Sequence, residues 1–202
     1  TIPLIPLPHD ARWQILQAGS DAFGIKLDRD SIIRIGQLSD GFPYYCHLMG
    51  EQIFWQAFDH PEQVSQISME HYGKGLKCAI EEAQTSLRYA YDRATKKHKN
   101  STDYEEVLWS VADGTLLQRA TTDIFEQSYS RVMEDRNRPP LQKEQFYQRL
   151  NALKKPGHGQ ILIANRQGWY GFRENIVRGY VRLRAEQSGI QIGVDHILAG
   201  AR

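Results

Sequence analysis

Between Leu76 and Ala94 the apolar residues recur at steps of three and four: Leu76, Ile80, Ala83, Leu87, Ala90 or Tyr91, and Ala94. This period draws one apolar stripe along a helix and predicts a single long amphipathic helix over the segment. Such a stripe has to be covered by other helices, and the residues before it supply them. A first helix is predicted from about His9 to Phe23, carrying Trp13, Leu16 and Phe23, with Gly19 inside it and Gly24 as its stop. A second follows Asp30 or Ser31 as cap and holds Ile32, Ile33, Ile35 and Leu38. Pro43 opens a third that runs to about Phe58, with Cys46, Met49, Ile53 and Ala57 on one stripe. Up to residue 95 the chain therefore reads as a bundle of four helices with no strand. The opening "TIPLIPLPHD" alternates apolar residues with prolines, so it is expected to be extended and to arrive from a preceding segment.

The pattern changes at the polar, basic stretch "TKKHKNSTD", residues 95 to 103, which sets the expected boundaries: a helical domain at 1–98, a second domain at 99–190 and a tail at 191–202. Three helices follow in "DYEEVLWSVADG", "TTDIFEQSYSRVMED" and "QKEQFYQRLNALKK", ended by Gly114, by the loop Arg136 to Pro140 and by Pro156-Gly157. Two strands, "QILIAN" and "WYGFRE", flank Arg166-Gln167-Gly168, a loop of hairpin length. A last helix runs from Asn175 to about Gln187. Three helices, a hairpin and a further helix is the order of a winged-helix domain. The expected fold class is mainly α, a helical bundle followed by a winged helix.

Composition narrows the function classes. With 202 residues, 41% hydrophobic and 24% charged, the chain can bury two cores and is too apolar to be disordered. It has no apolar run of roughly 20 residues and no signal-peptide pattern, so a cytoplasmic protein without a membrane span is expected. Cys46 and Cys78 lie in apolar helical patterns without metal spacing and read as small core residues, with no metal site expected. From Leu141 to Ser188 there are nine Lys or Arg against three acids, a balance of +6, so the rest of the chain carries −5 within a total of +1. That split suggests two modules with different partners.

The stretches "IPLPHDARWQIL", "FGIKLD" and "LSDGFPYYCHLMGEQIFWQAF", with the periodic helix after them, resemble the helical lid subdomain that follows the nucleotide-binding core of AAA+ and STAND-type ATPases. "VLWSVADG", "FYQRLNALKKPGHGQILI" and "GWYGFRENIVRGYVRLRA" resemble the winged helix after the lid in archaeal ATPases and origin-recognition-type initiators. The resemblance implies an upstream ATPase core in the same chain, with ATP and Mg as cofactors of the full-length protein. No Gly-x-x-x-x-Gly-Lys-Ser/Thr loop occurs in these 202 residues, and the nearest stretch, "SMEHYGKG", sits where a helix is expected. No cofactor and no catalytic residue is therefore assigned to this chain by itself, which is expected to be inactive alone.

In STAND-type lids a Gly-x-Pro lies against the adenine, and Gly41, Phe42 and Pro43 match that pattern; a Gly turn with Pro in a helix's first turn also needs no ligand. The lid arginine that reaches the γ-phosphate in many relatives is replaced here by Tyr44, Tyr45 and Cys46. In the second domain the winged-helix resemblance implies duplex DNA as partner. Lys143, Gln145, Gln148, Arg149 and Lys154 would face out from the third helix, His158 and Arg166 would lie at the base and tip of the wing, and Arg178 and Arg182 would form a phosphate-facing row. A protein partner or a merely solvated basic face fits the same residues. Trp169, Tyr170 and Phe172 suggest base stacking, although hairpin alternation sends some of them inward. Asp195 and His196 read as exposed tail.

Overall fold

The computed structural model describes residues 6–95 and 102–194. The chain divides into two compact units, Thr1–Ala83 and Gln84–Arg202. The division falls before the polar stretch at 95–103, whose residues 96–101 lie outside the described set, as do residues 1–5 and the tail with Asp195 and His196.

The first unit holds four helices. α1 (His9–Phe23) ends at Gly24, whose φ of 65° is the left-handed conformation that closes a helix. α2 (Arg29–Leu38) starts two residues earlier than the sequence suggests, because Asp28 is its cap: the carboxylate accepts from the Ser31 amide at 2.9 Å and the Ser31 hydroxyl at 2.6 Å. Burial pushes the Asp28 carboxyl up, but the Ser31 hydroxyl and amide outweigh it and hold the group below its ordinary value. α3 (Pro43–Phe58) carries Pro43 at its start, and α4 (Met69–Glu82) is opened by a reciprocal cap in which Ser68 and His71 each accept from the other's backbone amide. A short parallel bridge joins Lys26 to Gln66, and Ile25, Leu27 and Ile67 beside it are buried. Ile35, Leu38, Cys46, Met49, Ile53 and Ala79 fill the core. Each fully buried aliphatic side chain contributes about 1.5–3 kcal/mol.

The long helix expected over Leu76–Ala94 is two helices. Ala83 leaves helical geometry with ψ 148°, and α5 (Thr85–Thr95) begins again as the Leu87 and Arg88 amides bond to the Gln84 carbonyl. Leu76, Ile80 and Ala83 are buried in the first unit, while Leu87, Tyr91 and Ala94 are buried in the second. The stripe is real, and it serves two cores.

In the second unit α6 (Asp103–Ala112) is buried along almost its whole length. It is followed by a short strand β1 (Gln118–Ala120), by α7 (Thr121–Asp123), a π-helical stretch (Ile124–Tyr129) and α8 (Ser130–Glu134) in one run, and by α9 (Lys143–Ala152). A 3₁₀ turn (Pro156–His158), β2 (Leu162–Arg166), β3 (Trp169–Phe172) and α10 (Asn175–Gln187) complete it. The strands form an antiparallel sheet in the order β1-β3-β2, with Arg119 opposite Tyr170 and Leu162 opposite Phe172. β1 was not expected; three residues are too few to show a two-residue period. The protein is mainly helical with this small sheet, and among the described residues no helix is long and apolar enough to cross a membrane.

Candidate nucleic-acid interface and the Gly-Phe-Pro turn

On α9, the buried Phe146, Leu150 and Leu153 face the core, so Lys143, Gln145 and Gln148 point outward and are exposed. The amide oxygen of Gln145 accepts from the Gln142 backbone at 3.1 Å and thereby helps cap α9. Lys143 lies 3.4 Å from Glu126 and within about 6 Å of the Phe125 and Tyr147 rings. The bond to Glu126 raises its pKa, so it is a cation at all physiological pH. Gln148 is the least encumbered member of the set. In the hairpin Arg166 is exposed, with its guanidinium 5.3 Å from the Trp169 ring. Lys154 is half-buried over Tyr170 at 4.9 Å.

The remaining basic residues of the expected interface have other work. Arg178 and Arg182 are 3% and 2% exposed, so they do not form a phosphate-facing row. Arg178 donates to the carbonyls of Leu116 at 2.7 Å and Thr115 at 3.3 Å, and Arg182 to those of Ala112 at 3.0 Å and Gly114 at 2.6 Å. Both are turned inward because the chain leaving α6 has carbonyls that no helix or sheet satisfies, and buried backbone acceptors need donors. His158 is likewise not at the surface: it is 8% exposed, its Nδ1 lies 2.8 Å from the Ala94 carbonyl and its ring lies 4.3 Å from that of Tyr104. Arg149 is half-buried, 3.4 Å from the Asp103 carboxylate and over the Tyr104 ring. Of the possible stacking platform, Tyr170 and Phe172 are buried and only Trp169 is partly open.

A set of buried carboxylates and the arginines they pair with, Arg131, Arg136 and Arg138, were not singled out from the sequence. Glu106 is 0% exposed and bonds to Arg136 at 2.9 Å and to Arg138, which also reaches Asp103 at 2.8 Å. Its hydrogen bonds raise the pKa of Arg138 above the ordinary value despite the opposing effect of burial. Asp113, 2% exposed, pairs with Arg131 and accepts from the Gly193 amide at 3.0 Å. A signal was present: acids three apart in the apolar helix "DYEEVLWSVADG" need cationic partners once that helix is buried.

In the first unit the turn before α3 is braced from within. Asp40 and Gly41 both have positive φ, 53° and 81°, and the Phe42 amide bonds to the Ser39 carbonyl at 2.9 Å. Arg12 and the Ser39 hydroxyl both donate to the Gly36 carbonyl, at 2.5 and 2.7 Å. Gly41 is buried against the chain before α1: the Leu7 amide donates to its carbonyl at 2.8 Å, and a Cβ here would lie 2.4 Å from the Cβ of Pro6. Phe42 and Tyr44 are half-buried and Pro43 is exposed, leaving a small apolar ledge. Gly41→Ala combines a left-handed backbone with a clash, and is expected to destabilise the first unit by about 1–3 kcal/mol in urea unfolding. A loss below about 0.5 kcal/mol would mean that the Pro6-Leu7 segment yields without cost.

Among the described residues no group of three or more His, Cys, Asp or Glu is placed to hold a metal ion. No protein-family model, curated protein or solved structure matches this chain.

Proposed function

We propose that this chain is the lid and winged-helix region of a larger AAA+ or STAND-type ATPase, and that its second unit contacts duplex DNA through α9 and the β2–β3 hairpin. The reading rests on one observation. After burial and internal pairing have removed Arg178, Arg182 and His158, the exposed Lys143, Gln145 and Gln148 remain on α9 and the exposed Arg166 remains in the hairpin. These are the two elements that a winged helix presents to DNA, and their chemistry suits it: Gln reads base edges, while Lys and Arg contact phosphate. The element order and the β1-β3-β2 sheet support the same reading.

On this reading the Pro43 ledge forms one wall of an ATP site whose phosphate and Mg contacts come from a nucleotide-binding core. ATP binding there would favour one lid orientation, and the linked winged helix would carry that preference to DNA. On this reading, ATP hydrolysis requires that core and is not expected of either unit alone.

Anisotropy of a labelled duplex, followed as NaCl is raised, tests the DNA contact. Binding is expected at about 50 mM salt and should fall by an order of magnitude or more by about 200 mM. The triple variant Lys143→Ala, Gln148→Ala, Arg166→Ala should weaken it at every salt concentration and flatten the salt slope by about 2, one for each lost cation. Absence of binding at low salt, or a triple variant that binds like the parent, contradicts the reading.

A protein partner in place of DNA is favoured by a different feature. Leu116 and Leu117 are 64% and 44% exposed on the loop that Arg178 and Arg182 pin down. Leu116→Ser with Leu117→Ser should leave DNA binding intact; loss of DNA binding in this variant would move the contact to that loop.

A further inference from the structure

The first unit carries an apolar groove that none of the foregoing uses. It lies between α1 and α3, has a volume of about 210 Å³, and is lined by Ile15, Gly19 and Phe23 from α1 and by His47, Glu51 and Phe54 from α3. Phe23 is 44% exposed and stacks on Phe54 at 5.3 Å, so the groove has an aromatic end wall open to solvent. The apolar surface continues along α3. His47, Glu51, Trp55 and Phe58 follow one another at helical spacing, and Trp55 and Phe58, 42% and 61% exposed, meet edge to face at 5.5 Å. Three large aromatic side chains left open beside a groove are more than scattered surface residues, and contiguous patches of this kind mark interaction sites.

Charge decides what fits. No Lys or Arg lines the groove, and Glu51 stands on its rim without an ion-pair partner among the described residues. Asp59 and Glu62, both exposed, extend the negative charge past Phe58. The first unit as a whole has six Lys or Arg against eleven Asp or Glu, a net −5. Nucleic acid and anionic lipid are repelled by such a surface. A helix that lays an apolar face in the groove and on the aromatics, with Lys or Arg along its flank beside Glu51, matches it in shape and in charge.

We propose that the α1–α3 groove, extended by Trp55 and Phe58, docks a cationic amphipathic helix of a partner protein. The proposal does not depend on the DNA or nucleotide reading, since it uses no residue assigned to either.

The probe is a labelled synthetic helix of about 15 residues in which Leu forms one face and Lys the other. Its counterpart with Glu in place of Lys and a version with the Leu and Lys order scrambled serve as controls. The whole chain should bind the Leu/Lys helix saturably, with a change in Trp fluorescence, and bind neither control. Glu51→Lys should weaken binding about tenfold, and Phe23→Ser at least as much, whereas Glu82→Lys, an equal charge reversal on the exposed end of α4, should leave it within about twofold. Circular dichroism checks that each variant is folded. The proposal is overturned if the Leu/Lys helix fails to bind at about 100 μM, if the Leu/Glu or scrambled peptide binds as well, or if Glu82→Lys weakens binding as much as Glu51→Lys. It is also overturned if sedimentation shows a dimer that Phe23→Ser abolishes, because the occupant is then a second copy of the chain.

Discussion

Replacing Glu106 by Ala is expected to lower the stability of the second unit by about 3–5 kcal/mol, among the largest effects of any single substitution in the chain. The carboxylate is fully buried and is bonded to Arg136 and Arg138, so its removal strands two guanidinium groups at the edge of the core. Glu106→Gln keeps the volume and one acceptor oxygen and should cost less. Because Arg138 is one of the groups stranded, removing it as well should partly relieve the loss, making Glu106→Ala with Arg138→Ala less damaging than the sum of the two changes, even though the Arg138–Asp103 contact goes with it. Native-state hydrogen exchange of the α6 amides reads this directly. A Glu106→Ala protein whose α6 amides exchange as slowly as those of the parent would mean that the cluster is held open to water and contributes little.

Gly75→Val is expected to disrupt the first unit by about 3 kcal/mol or more. α3 and α4 approach so closely that a Cβ at position 75 would lie 2.6 Å from Cγ1 of Ile53, 2.7 Å from its Cα and 2.8 Å from its backbone nitrogen. A side chain could rotate away from such a clash; backbone atoms cannot, so the helices must separate. Gly73, two positions earlier, has nothing within 4 Å of its would-be Cβ. Gly73→Ala should therefore stabilise the unit by roughly 0.5–1 kcal/mol through helix propensity alone. Opposite signs at 73 and 75 in urea unfolding would establish that close helix contact, not glycine flexibility, fixes position 75. Loss at both positions would contradict it.

Much of the fold was legible because the residues that start and stop helices act locally. Gly24 and Pro43 do in the structure what their chemistry requires, and the α9 stripe of Phe146, Leu150 and Leu153 is buried as its spacing demands. The break at Ala83 was hidden because the apolar spacing runs through it unchanged, and periodicity registers which face is buried but not by which core.

The outward placement of Lys143, Gln145 and Gln148 was legible on α9, and the inward placement of Arg178 and Arg182 on α10 was not. In "NIVRGYVRLRAEQ" the helical period places Arg178 and Arg182 on one stripe with Asn175 and Glu186, which reads as an outer polar face although both arginines are buried. Their four-residue spacing suits an exposed row and an inward pair equally well. The inward arrangement follows from the carbonyls of residues 112 to 116, whose need for donors appears only when the chain leaving α6 is seen to be covered. Counting Lys and Arg from Leu141 to Ser188 therefore overstated the charge available to a partner, since Arg178 and Arg182 are turned onto backbone carbonyls and Arg149 onto Asp103 inside the unit.

The most direct measurement is hydrogen–deuterium exchange of the whole chain with and without a saturating duplex at low salt. If the second unit contacts DNA as proposed, protection should concentrate on α9 around Lys143 to Gln148 and on the β2–β3 hairpin around Arg166, leaving the Leu116-Leu117 loop unchanged. Protection confined to that loop or to the first unit, or no protection at any peptide, would contradict it.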